Sequence, residues 1–229
     1  MAEETTVLTP DGIETPDEEK AENKSLVVAR DLLPERLILI PLHDRPMFPK
    51  MMGPIILEDG GLQEAVMKHM NQNAPLYFGL VLQVPGDDGM ARVVHGGDDF
   101  YKVGTVARVV QVSPFKPGEP LQILVQALER FEIVAVMKTD SLFVAEVKYR
   151  YEPIQESSEE LKAYSVAIID CIKELVNMNP LFKEGLSLLL ERINLSDPGS
   201  LADFAGAMTT SSGREIQKIL RSEEHTSEL

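Results

Sequence analysis

Any chemistry in this 229-residue chain would have to come from four histidines, one cysteine and a group of methionines. His43 stands beside Asp44, a pairing that could pass a proton. Neighbouring side chains point apart, however, and the loop that follows, Arg45-Pro46-Met47-Phe48-Pro49, offers no nucleophile, so a structural role is expected. His69 falls on the apolar stripe of a helix and reads as a half-buried histidine, and His95 falls in a flexible Val-His-Gly-Gly loop. Cys171 is read on a core stripe with Ile168 and Leu175, where a thiol behaves as a small hydrophobe. Its only nearby cation is Lys173, too little to activate a thiolate. The chain has no Gly-x-x-x-x-Gly-Lys-Ser/Thr phosphate loop, Gly-x-Ser-x-Gly elbow, cysteine pair or His-Glu-x-x-His. No catalytic, cofactor-binding or metal-ligating residue is therefore expected in it.

Binding is the remaining possibility. Met47, Phe48, Met51 and Met52, with Ile55, cluster in and just after a proline-rich loop that should lie at the surface. Methionine is flexible and polarisable, which suits contact with many different apolar sequences. Met47, Phe48, Met51 and Met52 are the candidate substrate contacts. The same residues could instead fold back and plug the end of a barrel, with Phe48 the first to be buried and Met51 the last. The sequence leaves both open.

Composition narrows the partners. Hydrophobic residues make up 44% and charged residues 26%, as in an ordinary globular protein. The net charge of −15 repels phosphate backbones and argues against nucleic acid. A single cysteine excludes an internal disulfide and suits a reducing compartment. No apolar run approaches the ~20 residues of a membrane span. The first residues lack the basic and apolar regions of a signal peptide, so no membrane contact and a cytoplasmic location are expected.

The elements that must position the candidate residues can be read from periodicity. Residues 1–33 are expected to be a disordered acidic tail, because eight carboxylates in the first 24 residues leave little to bury. Residues 37–40 form a continuous apolar run suited to a strand buried on both faces. Asp59-Gly60-Gly61 opens a helix with Leu62, Ala65, Val66, His69 and Met70 on one face, ended by Asn73 and Pro75. Residues 77–84, 101–112, 121–128, 131–138 and 143–151 read as further strands, with Gly104 breaking one as a bulge or bend. Together these predict a compact, barrel-like antiparallel sheet.

At Pro153 the period changes from two to 3.6. Ser157 with Glu160 reads as a capping box before the stripe Leu161, Tyr164, Ile168, Cys171, Ile172 and Leu175. Asn179-Pro180 opens a second helix, Ser200 with Asp203 is read as capping a third over 201–208, and Ser212 with Glu215 launches a fourth. That fourth helix has barely begun at Leu220, and nothing in the sequence shows what would hold so short a helix. Residues 221–229 match one reading frame of a sequencing adapter and are set apart as a scar, which implies a longer natural protein.

Four segments carry a family resemblance. Residues 37–49, Leu-Ile-Leu-Ile-Pro-Leu-His-Asp-Arg-Pro-Met-Phe-Pro, resemble the opening strand and loop of Lon N-terminal domains, with His43 where arginine is usual. Residues 103–109, Val-Gly-Thr-Val-Ala-Arg-Val, and 123–131, Ile-Leu-Val-Gln-Ala-Leu-Glu-Arg-Phe, resemble two later strands, with Ala127 where glycine is common. Residues 198–203, Pro-Gly-Ser-Leu-Ala-Asp, are similar to that family's helix start.

The resemblance implies an α+β fold, a β-rich PUA-like pseudo-barrel over 34–155 followed by a helical bundle subdomain over 156–220. It also implies a substrate-recognition and delivery domain of an ATP-dependent Lon-type serine protease. The full-length parent would use ATP and Mg, a Ser–Lys dyad and a homo-hexamer, and its partners would be unfolded or tagged proteins. None of the downstream machinery lies in this chain. A stand-alone Lon-domain binding module is the alternative, and the coding sequence beyond Leu220 would separate the two. An RNA-binding barrel of related shape is disfavoured by the net charge and the lack of an aromatic-basic stripe.

Overall fold

A computed structural model describes residues 33–70, 75–86, 94–114, 119–139, 142–151, 159–178 and 197–221. The turns expected at 87–89 and 117–118, the end of the first helix at Asn73, the cap at Ser157, the helix after Asn179 and the adapter-like residues beyond Arg221 lie outside them. So does the side chain of His69.

The apolar run at 37–40 becomes β1 (Arg36–Leu42), in which Leu37, Leu39 and Ile40 are buried and Ile38 partly so, with a strand paired on each edge. β3 (Tyr77–Leu82) pairs with it in parallel and β6 (Leu142–Arg150) antiparallel. A parallel neighbour needs a crossover, and residues 43–76 supply one. This corrects the expectation of a wholly antiparallel sheet. The crossover carries β2 (Met52–Leu57) and α1 (Gly60–Met70). Asp59 caps α1 by accepting a bond from the Leu62 amide at 3.0 Å. Leu62 and Val66 then enter a core with Leu57, Phe78, Leu80, Ile123 and Val125.

β4 (Val103–Val112) joins β3 to β5 (Leu121–Thr139), and β5 closes the barrel. Two strands were expected here, separated at Glu129-Arg130, yet β5 runs unbroken for 19 residues. Its first half pairs with β2 and β4, and its second half pairs with β6. One long strand thus passes from one set of neighbours to the next. Register shifts at Thr105/Ala107, Val109/Gln111 and Ile133/Ala135 supply the extra twist that closure needs. Gly104 is not itself a bend. A Cβ there would stand 2.5 Å from the Leu80 carbonyl oxygen and 2.7 Å from the Phe131 ring. Gly104 makes room for Phe131, its cross-strand partner.

Three described helices follow: α2 (Glu159–Met178), α3 (Pro198–Met208) and α4 (Gly213–Arg221). The N-cap of α3 is Asp197, whose carboxylate accepts from the Gly199 amide, with Pro198 in the first turn. Ser200 and Asp203, read from sequence as its cap, lie inside the helix. In α4 the Ser212–Glu215 capping box forms in both directions, with Ser212 N–H donating to Glu215 at 3.0 Å and Glu215 N–H donating to Ser212 Oγ at 3.4 Å. Short as it is, α4 has a tertiary anchor that the sequence did not reveal. Ile216 and Leu220 pack with Phe48 and Val103, and Gln217 donates to the Val103 carbonyl at 2.9 Å. A Cβ on Gly213 would stand 2.1 Å from the Asp44 carbonyl oxygen, so glycine lets α4 begin against the β1–β2 loop. Arg221 is the last residue of this helix, so α4 extends one residue into the segment set apart as a scar.

From residue 35 onward the described residues belong to one compact unit, so the barrel and the described helices share it. Helix α2 corrects a further expectation. Ile168 and Ile169 pack against Leu201 and Phe204 of α3, whereas Tyr164 and Cys171 are exposed. Of the predicted stripe, Ile168 packs inward as expected, joined by Ile169, while Tyr164 and Cys171 do not.

Candidate functional site: a groove between the barrel and α3

The proline-rich loop folds inward at its start and emerges at its end. Pro46, Phe48 and Pro49 are buried, and Phe48 is wholly enclosed by Val103, Ile216 and Leu220. Met47 is half-buried against the barrel core, and its carbonyl accepts a 2.7 Å bond from the Thr105 hydroxyl. Neither side chain reaches the groove described below. Met51, expected to be the most exposed of the group, is half-buried between the α4 and α3 clusters. Met52 is the exposed one, at 39%. It is also not a loop residue, because it opens β2 opposite Gln126.

Lys50 turns the chain between these environments. Its φ of 64° is left-handed, a conformation that costs a non-glycine residue energy and persists only where neighbours hold it. Two backbone bonds do so: Lys50 N–H donates to the Ala127 carbonyl at 2.9 Å, and Ala127 N–H donates to the Met51 carbonyl at 2.8 Å. The Lys50 ammonium donates to Asp197 Oδ2 at 2.7 Å and to the Ser200 hydroxyl. Burial pushes the Asp197 carboxyl up, but hydrogen bonds from Lys50 and Ser200, and the charge of Lys50, outweigh it and hold the pKa below the ordinary value.

The result is a groove of about 530 Å³. Pro49, Lys50, Met51 and Met52 form one wall, residues 126–129 of β5 a second, and Ser200 with Phe204 a third. Below it, Arg130 donates to Asp203 at 2.5 Å and to the Leu220 carbonyl at 3.1 Å, with both charged side chains 6% exposed. That pair seats α3 and the end of α4 on the barrel. A concave, mainly apolar site with a few fixed polar groups is the usual form of a binding site. Its polar rim can orient a chain, while methionine and phenylalanine walls give contact without demanding a particular sequence.

The remaining candidates do not converge. His43 Nδ1 lies 2.9 Å from the Gln83 amide oxygen, across the β1–β3 end of the barrel. The His95 amide donates to Asp99 at 2.7 Å, so this segment is held by a short 3₁₀ turn. Among the described residues no three His, Cys, Asp or Glu side chains gather as a metal-binding group, and no helix is long and apolar enough to cross a membrane. Sequence reasoning missed the third wall. The Pro-Gly-Ser-Leu-Ala-Asp segment marks a helix start, but nothing in it says that Ser200 and Phe204 face Met51.

Residues 36–227 match the family model described as the ATP-dependent protease La (LON) substrate-binding domain. The chain is 37% identical over 203 residues to a Lon protease of Chlamydia pneumoniae, covering 89% of this chain and 24% of that protein. It is 36% identical over 197 residues to Lon protease 1 of Syntrophotalea carbinolica, covering 86% and 23%. The chain thus spans about a quarter of the length of the curated relatives it matches. Among solved structures, the N terminal domain of a Mycobacterium avium complex Lon protease aligns with a TM-score of 0.57 at 17% identity, covering 85% of this chain and 100% of that one. A Lon N-terminal domain protein from Xanthomonas campestris gives 0.54 at 16%, covering 83% and 92%. At these identities the structural likeness is one of fold.

Proposed function

The chain belongs to the Lon substrate-binding domain family, and from that premise we propose that its groove captures exposed apolar segments of unfolded or tagged polypeptides. The observation that carries this reading is the 530 Å³ groove lined by exposed Met52 and half-buried Met51 together with Ser200 and Phe204. In the parent protein the captured segment passes to an ATP- and Mg-dependent unfoldase and then to a Ser–Lys protease, within a homo-hexamer in the cytoplasm. The names of the relatives and the family description support the part of this reading that makes the parent an ATP-dependent protease. β2 limits how a segment can bind. It ends the strand order, and Pro54 within it has no amide proton to donate. Recognition therefore rests on side-chain contact rather than on adding a strand.

The test is capture of a carboxymethylated, permanently unfolded protein by the full chain. Met52→Ser should weaken capture about 5- to 30-fold, corresponding to 1–2 kcal/mol at an exposed contact residue. Unchanged capture by a folded Met51→Ser/Met52→Ser protein would retire the groove. A stand-alone binding module would behave identically in this assay, and ATP turnover by the parent protein would distinguish the two.

A further inference from the structure

Phe204 serves two neighbourhoods at once. It lines the groove, yet it is 2% exposed because Met51 packs on its cluster from the loop and Ile168 and Ile169 pack on it from α2. The path from groove to α2 is thus a single layer of packed side chains: Met51, then Phe204 with Leu201, then Ile168 and Ile169. Among the described residues, α3 is the principal seat of α2. Helix α2 has 20 residues, about 30 Å of rigid rod, and Tyr164 and Val166 on it are exposed. The two ties of α3 to the barrel also differ in depth. Arg130–Asp203 is buried near the middle of the helix, and Lys50–Asp197 is open to solvent at its start.

We propose that α3 is a movable wall, so that filling the groove displaces Phe204 and repositions α2. The inference rests on the groove being a binding site, and it names how occupancy would be reported to the rest of the molecule. Close-packed side chains cannot absorb an inserted group locally, so they pass a displacement to the next layer. The buried Arg130–Asp203 pair acts as the pivot, because separating it would strand a charge. The exposed Lys50–Asp197 contact yields first, because water can replace it.

The experiment fills the groove covalently, without needing a natural ligand. In the full chain carrying Cys171→Ser, Met52→Cys provides one thiol on the groove wall. Methylthiolation of that thiol gives a side chain of nearly methionine shape, and N-(1-pyrenyl)maleimide gives a bulky one. Hydrogen exchange of the α2 amides should differ between the two adducts by about fivefold or more, the lower end of ordinary coupling factors. Exchange in α1, which packs on a different core, should not change. Phe204→Leu should abolish the α2 response while leaving the pyrene adduct in place. Identical α2 exchange in both adducts overturns the proposal. Capture of the carboxymethylated protein is measured on the same samples and judges the groove reading separately. Full capture by the pyrene adduct would remove the groove as the binding site, whatever α2 does.

Discussion

Arg130–Asp203 and Lys50–Asp197 join the same two parts of the molecule, the barrel and α3, but in different solvents. The first pair is 6% and 6% exposed, and the second 58% and 33%. A buried pair has already lost its water, so each partner depends on the other and on further bonds such as that from Arg130 to the Leu220 carbonyl. An exposed pair exchanges its partner for water at little cost. Similar chemistry therefore gives a fixed seat in one place and an adjustable rim in the other. The groove lies between them, where one wall can be held at its base and still move at its edge.

The deepest cut in this comparison is Asp203→Ala. It leaves the Arg130 guanidinium buried without its counter-charge and should cost about 3–5 kcal/mol, read as a lowered urea midpoint with α3 and α4 losing exchange protection together. Replacing both partners with apolar residues, Arg130→Met with Asp203→Leu, should cost less than Asp203→Ala alone. A double variant as unstable as the single one would show that the pair stabilises beyond its own desolvation.

Gly104→Ala asks whether the helices share the fate of the barrel. The added methyl has no room beside Leu80 and Phe131, and overpacking of this kind costs about 1–3 kcal/mol. Far-ultraviolet circular dichroism during thermal unfolding should then show strand and helix signals shifting together. Separate transitions would mean that the helical part is not anchored as the contacts of α4 imply.

The two groove methionines should separate in the same way as the two ion pairs. Met51→Ser removes a half-buried side chain and should lower the melting temperature measurably. Met52→Ser should stay within about ±0.5 kcal/mol, as is usual at the surface. Equal losses would place Met52 in the core.

Lys50→Gln is the mildest change, worth about 0.2–1 kcal/mol and less in high salt. Its pH dependence follows from Asp197. The pKa of that carboxyl is lowered in the folded protein, so the clasp stabilises fully above the ordinary value of 3.8 and is lost as pH falls through the lower folded value. The stability gap between wild type and Lys50→Gln should hold above pH 3.8, narrow below it and close once the pH has passed the lower folded value. A gap that closes near neutral pH would assign the effect to another group.

Much of the barrel was legible because strand signals are local. The alternation at 143–151 buries Ala145 and Val147 and leaves Glu146 and Lys148 exposed, and the Ser212–Glu215 box caps α4 as its spacing predicts. β2 was hidden by Gly53 and Pro54, which discourage a strand anywhere except at a sheet edge. The continuity of β5 was hidden because Glu129 and Arg130 look like a turn until Asp203 makes Arg130 a core residue. Of the four candidate contacts, composition located the cluster but could not divide it. Whether a methionine or phenylalanine beside a proline faces inward depends on what arrives from elsewhere in the chain, here α4 over Phe48 and α3 beside Met51. Cys171 shows the same limit, since a helical stripe fixes which residues share a face and leaves open which face finds a partner.

The sequence by itself determined most of the strands, the Ser212–Glu215 cap of α4 and the methionine cluster, because propensity, periodicity and capping act over a few residues. The tertiary structure alone decided the third wall of the groove, the burial of Phe48 and the pairing of Arg130 with Asp203. Those contacts join residues 55 or more positions apart, where only the closed barrel and the helices packed against it bring the partners within reach.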